Sequence, residues 1–124
     1  MRMIQLAQRA DDLERATAFY TGLLGAPPTG VFDPGLVFFD LDGVRLLLER
    51  GAPSALVYLG VPDLAAALDR LRADDVEVIA EPAPIFHHSD DRLGPAGTDE
   101  SMAFIRDSEG NTVGLVEQRV SERG

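Results

Sequence analysis

The sequence predicts an α+β domain built from two β-α-β-β-β modules, and three observations carry that prediction. A strand-like run enters an Asp-led amphipathic segment twice, with Asp12-Leu13 and Asp63-Leu64 51 positions apart. After each such segment, Gly and Pro punctuation gives way to a pair of apolar runs. Each pair turns through acids and a glycine, Asp40-Leu41-Asp42-Gly43 in the first half and Asp107-Ser108-Glu109-Gly110-Asn111 in the second. Self-similarity of this kind marks one supersecondary unit used twice. The 124 residues suit one domain spanning 1–124, with module one at about 1–50 and module two at about 54–118.

The elements follow in order. Met3 to Ala7 reads as the first strand and Ala55 to Leu59 as its counterpart. Asp is a good helix N-cap because its carboxylate accepts from otherwise unpaired amides at the positive end of the helix dipole. Asp11 with Glu14 three residues on has the spacing of a capping box. Leu13, Ala16, Tyr20 and Leu24 then share one helical face, widened by Phe19 and Leu23, and Gly25 is placed to end the helix. Leu64, Leu68 and Leu71 repeat the pattern in module two. Leu36–Phe39 with Val44–Leu48, and Met102–Ile105 with Thr112–Val116, read as hairpins. Val76–Ile79 alternates like a half-buried edge strand. Ala83 to Ser101 carries Pro84, Gly94, Pro95, Gly97, both histidines and several acids, so a long loop or lid is expected there. The polar tail after Glu117 is expected to fray.

Composition removes several function classes. With 11 basic against 21 acidic residues the net charge is −10, which repels nucleic acid and anionic lipid at long range. No cysteine is present, so there is no thiolate nucleophile, disulfide or Cys-containing metal site. No run approaches the roughly 18 apolar residues that cross a bilayer, and Gln5 and Arg9 arrive before a signal-peptide core could form, so a cytoplasmic protein is expected. No glycine-rich phosphate loop occurs, and Ser54 and Ser101 lack a nucleophile-elbow context.

The entry Asp12-Leu13, Ala18-Phe19-Tyr20 and Leu23-Leu24-Gly25, followed by the closing run from Ala103 to Asn111, resembles the vicinal oxygen chelate superfamily, which includes glyoxalase I, bleomycin-resistance proteins, extradiol dioxygenases and methylmalonyl-CoA epimerase. The resemblance covers nearly the whole chain. It implies that the two modules form a curved eight-stranded cup, usually completed by a second subunit, so a homodimer is expected. An amphipathic helix buries one face of each sheet. The other face is then available to line a cavity, and a cavity with few polar groups suits a small molecule.

Metal-dependent members of that superfamily hold one divalent ion with ligands from four strand positions. Carried onto this chain, those positions fall on Gln5, Leu46, Leu56 and Gly114. One neutral amide oxygen, two leucines and a glycine cannot hold a divalent cation. A one-residue slip presents Leu47, Val57 and Val113 or Leu115, and a two-residue slip presents Leu48, Tyr58 and Thr112 or Val116. No His or carboxylate is recovered, so neither a metal nor another cofactor is expected. Leu46, Leu48 and Leu56 either close an apolar core or line an open apolar pocket.

The remaining candidates are polar. Gln5, Ala7 and Arg9 alternate on one face of the first strand, where Arg9 would offer a planar cation for a carboxylate or phenolate, or else pair with an acid at the rim. Arg45 alternates with Leu46 and can equally point outward; Tyr58 shares parity with Leu56 and can present its hydroxyl in the cup. Glu49 and Glu117, at strand ends, are expected to be exposed. Adjacent His87 and His88 on an extended chain point to opposite sides, so they do not chelate one ion together. Either surface exposure or an acid, base or hydrogen-bonding role for one of them fits the sequence. The acids Asp90, Asp91, Asp99 and Glu100 read as a solvated run.

The ligand-binding set is therefore Gln5, Ala7, Arg9, Leu46, Leu48, Leu56, Tyr58 and Gly114, with His87 and His88 as the candidate catalytic residues. The expected function is binding or sequestration of a small apolar or aromatic molecule, as in bleomycin-resistance proteins. The alternatives are a lyase or isomerase of the glyoxalase or epimerase type, a metal-free catalyst, or a cup filled by its own side chains.

Overall fold

In the computed structural model, which describes residues 1–122, the described residues run β-α-β-β-β twice. They group into two compact units, one of Met1–Leu56 with Asp107–Asn111, the other of Val57–Arg106 with Thr112 onward. The first holds β1 (Gln5–Arg9), α1 (Leu13–Leu24), β2 (Gly30–Phe32), β3 (Leu36–Leu41) and β4 (Val44–Glu49). Its sheet order is β1-β4-β3-β2, with β1 parallel to β4 and the other pairs antiparallel. The second holds β5 (Val57–Gly60), α2 (Leu64–Ala73), β6 (Val78–His88), β7 (Thr98–Arg106) and β8 (Thr112–Val120). The order β5-β8-β7-β6 repeats the first pattern.

The helix ends show how local chemistry sets the boundaries. Asp12 caps α1 by accepting from the Arg15 amide at 3.0 Å, and Asp63 caps α2 by accepting from Ala66 at 3.0 Å. The capping box does not use Glu14. Its reciprocal bond comes from Glu109, which accepts from the Asp12 amide at 2.9 Å and takes the Arg15 guanidinium at 2.7 Å. Gly25 ends α1 in the left-handed conformation at φ 72°, where a side chain would be strained. Asp42 and Gly43 both have positive φ, 53° and 91°, as a two-residue hairpin between β3 and β4 requires.

Strand alternation then separates the two faces of each sheet. In the first unit Leu46 pairs with Leu6 and Phe39, Leu48 with Gln8 and Val37, and Tyr20 of α1 meets both Phe39 and Gln8. Leu46 and Leu48 are therefore buried beneath α1. In the second unit Val57, Ala103, Ile105, Val113 and Leu115 form the corresponding buried face, with Leu64, Leu68 and Leu71 of α2 also buried.

Four sequence expectations need correction. The first strand starts at Gln5 instead of Met3. The expected long loop is mostly hairpin: β6 continues through Ala83 to His88 and pairs with β7, leaving only residues 89–97 as connection. Pro82 and Pro84 are tolerated because β6 is an edge strand with no neighbour on its outer side, and register shifts absorb the irregularity. The tail beyond Glu117 stays in β8 to Val120, while residues 123 and 124 lie outside the described set. Glu117 is buried, because it accepts from the Leu64 amide at 2.6 Å and so completes the N-terminus of α2.

Candidate functional site

On each sheet, the face turned away from the helix is where a ligand can be met. In the first unit this face carries Gln5, Ala7 and Arg9 of β1, with Arg45, Leu47 and Glu49 beside them on β4. Arg45 is exposed, shares the face with Gln5 and donates to its Oε1 at 2.9 Å. Arg9 is exposed and pairs with Asp11 at 3.2 Å, which is the rim-pairing alternative. Leu46 and Leu48 face α1, so they belong to the core and not to this surface. The residue beside Ala7 on the face away from α1 is Leu47, and it too is buried.

The open face of the second unit is built on a glycine. Gly114 pairs with Tyr58 on one side and Phe104 on the other. A Cβ at Gly114 would come within 2.6 Å of the Tyr58 ring, so the missing side chain is what lets that ring lie over the strand. Tyr58 and Phe104 meet edge to face with centroids 6.0 Å apart. Tyr58 is half exposed, and Leu56 just before β5 is equally exposed, so Leu56 is not a closed core residue in this chain. Met102 and Val116 continue the same face to Glu100 and Gln118 by cross-strand pairing.

At that end stands a polar cluster. The two histidines do point apart: His87 Nδ1 bonds Asp99 at 2.7 Å in an exposed pair, whereas His88 Nε2 bonds Glu100 Oε1 at 2.8 Å with its side chain only 2% exposed. Gln118 donates to the same Glu100 oxygen at 3.0 Å. These bonds, that of Gln118 first and that of His88 second, hold the Glu100 carboxyl below its usual range. An ionised Glu100 only accepts, so Nε2 of His88 carries the hydrogen of this bond. Phe86 packs edge-on against the ring at 4.8 Å, and both line a cavity of about 310 Å³ with Ser89, Asp90, Arg92 and Leu93. Gly94 covers the cluster closely, because a Cβ there would come within 2.8 Å of both His88 and Gln118. Sequence reasoning missed Glu100 and Gln118. Their cue was the alternation of β7 and β8, which the expectation of a loop concealed.

The positions at which the superfamily places metal ligands do not fit a divalent ion in this chain. The single donor, Gln5 Oε1, already faces the Arg45 guanidinium, and a second cation there would be repelled. At Gly114 there is no side chain and the Tyr58 ring takes the space. Leu46, its open-face neighbour Leu47, and Leu56 offer only hydrocarbon. Among the described residues, no group of three or more His, Cys, Asp or Glu could hold a metal ion.

Comparison with known proteins places this geometry in a class. Residues 2–115 match the Glyoxalase/Bleomycin resistance protein/Dioxygenase superfamily, and the chain belongs to it. Among solved structures, a lactoylglutathione lyase from Agrobacterium tumefaciens is 22% identical with TM-score 0.67, over 94% of this chain and 92% of that one. A glyoxalase/bleomycin resistance protein/dioxygenase from Alicyclobacillus acidocaldarius is 16% identical with TM-score 0.67, over 98% and 94%. A virulence protein from Salmonella typhimurium is 14% identical with TM-score 0.69, over 94% and 96%. At these identities the likeness is one of fold. No curated protein matches the chain.

Proposed function

We propose that this chain binds a small, largely apolar or aromatic molecule on the open face of its second module, without a metal ion. The observation that carries this reading is the Gly114 position: the superfamily's ligand-bearing strand here has no side chain, and the aromatic rings of Tyr58 and Phe104 stand over it. Aromatic and aliphatic groups then lead to one polar cluster, which is the usual make-up of a small-molecule site. His88 meets the polar end of the ligand through Nδ1, as hydrogen-bond acceptor or, if the chain is a lyase or isomerase, as base. A homodimer belongs to the same reading, supported by exposed Val31 and Phe32 on edge strand β2 and Ile85 on edge strand β6. No described helix is long and apolar enough to cross a membrane.

The test is a thermal-shift and NMR screen of the full chain with single- and two-ring aromatic compounds. A hit is expected to perturb the Tyr58 and Gly114 amides. Tyr58→Ala is expected to weaken it at least about tenfold, and His88→Gln to weaken only hits that carry a hydrogen-bond donor. A screen in which no hit perturbs the Tyr58 and Gly114 amides, or in which the hits that do so are indifferent to Tyr58→Ala, would refute the proposal.

A further inference from the structure

The structure assigns a second site, on the open face of the first module: a carboxylate-recognition site for a one-ring aromatic acid, with Arg45 as its anchor. The chain carries 21 acidic side chains against 11 basic ones, and arginines such as Arg15 and Arg119 are matched by Glu109 and Glu117. Arg45 is held differently. Its Nε donates to the neutral amide of Gln5 at 2.9 Å, and its guanidinium carbon lies 5.7 Å from the centre of the Phe38 ring. Neither partner cancels its charge. Both fix the plane of the guanidinium and leave the two terminal nitrogens without a partner among the described residues, in the fork geometry that accepts a carboxylate. Asp40 is the cross-strand neighbour of Arg45, but its carboxylate accepts from the Gly43 amide at 3.2 Å in the β3–β4 turn and makes no ion pair with the guanidinium.

The apolar part of the ligand has its own wall. Phe32 and Phe38 meet edge to face with centroids 5.9 Å apart, and Phe32 folds back over Gly30, where a Cβ would lie 2.6 Å from the ring. Gly30, Phe32, Phe38, Arg45 and Thr29 line a cavity of about 220 Å³. Its modest size suits one ring, the two phenyl groups favour an aromatic one, and the guanidinium requires an anion at the end of it. Because the net charge of −10 repels anions at a distance, selectivity must come from this local contact.

Titration of the full chain with benzoate, with neutral benzamide as control, tests the assignment. Benzoate is expected to perturb the amides of Phe38 and Arg45 and to bind more tightly than benzamide. Arg45→Gln is expected to weaken benzoate roughly tenfold and leave benzamide unchanged, while Arg45→Lys, which keeps the charge and loses the fork, falls between. Arg45 is exposed, so these variants keep the core intact. Equal binding of benzoate and benzamide, an Arg45→Gln variant that binds benzoate as the parent does, or perturbation confined to Tyr58 and Gly114 would each overturn the site. The last result would leave the second-module reading standing, and failure of that reading would leave a response at Phe38 and Arg45 untouched.

Discussion

Single residues in this protein act through partners far away in sequence. Tyr20 receives a hydrogen bond from Gln8 at 3.3 Å and donates to Asp107 at 2.7 Å. Burial first, and the Asp107 charge second, push the Tyr20 hydroxyl well above its ordinary value, so it stays a donor throughout the usual pH range. Glu109 is the opposite case. The Arg15 guanidinium first, and the Asp12 amide and Ser108 hydroxyl after it, lower its carboxyl from 4.5 to about 2 against the opposing effect of burial. A carboxyl with a depressed folded-state pKa stabilises the fold above its unfolded value and loses that contribution as it is protonated. Melting temperature is therefore expected to drop as pH falls from about 4.5 to about 2, and Glu109→Gln to flatten this part of the profile. An unchanged acid limb in the variant would show that the Arg15 pair contributes nothing to folding. That an Asp opens α1 was legible from its place before an apolar periodic run, although the capping-box spacing pointed to Asp11 and the cap is Asp12. Glu109 as its partner was not, because it lies 97 residues away.

At the scale of elements, both helices and the cores of β3, β4, β7 and β8 could be read from periodicity, and the misjudged region was the stretch from Ala83 to Ser101, which hid most of β6. Proline and glycine there suggested a loop, yet an edge strand has one side without hydrogen-bond partners and tolerates proline on it. The pairing of Pro84 with Ser101, Phe86 with Glu100 and His88 with Thr98 extends the hairpin well past the expected strand ends. That extension brings Glu100 to His88 and Gln118, so the element boundary decides whether the polar cluster exists. Amide hydrogen exchange offers a direct check: residues 99–102 of β7, paired with β8 as well as β6, are expected to exchange as slowly as 103–105. Rapid exchange of the first group alone would restore the loop and dismantle the cluster.

For the whole molecule, superfamily membership sets the architecture, and the proposed binding without a metal ion is tested at this scale. Protein purified without an affinity tag or chelator is expected to contain far less than one equivalent of nickel, zinc, manganese or iron, and to gain no thermal stability from their addition. One equivalent retained through gel filtration would contradict the assignment of Gln5, Leu56 and Gly114 as non-ligands. What the sequence determined alone was the repeat, the order of its elements and the Asp-led start of each helix, since each depends on residue type and local spacing. The tertiary structure decided which side of a sheet each residue serves: a shift of one position exchanges core for open face, moving Leu46 and Leu48 under α1 and bringing Arg45 beside Gln5. It also decided which distant carboxylate completes each helix N-terminus, because such pairs depend on how the chain returns on itself, and no local pattern records that.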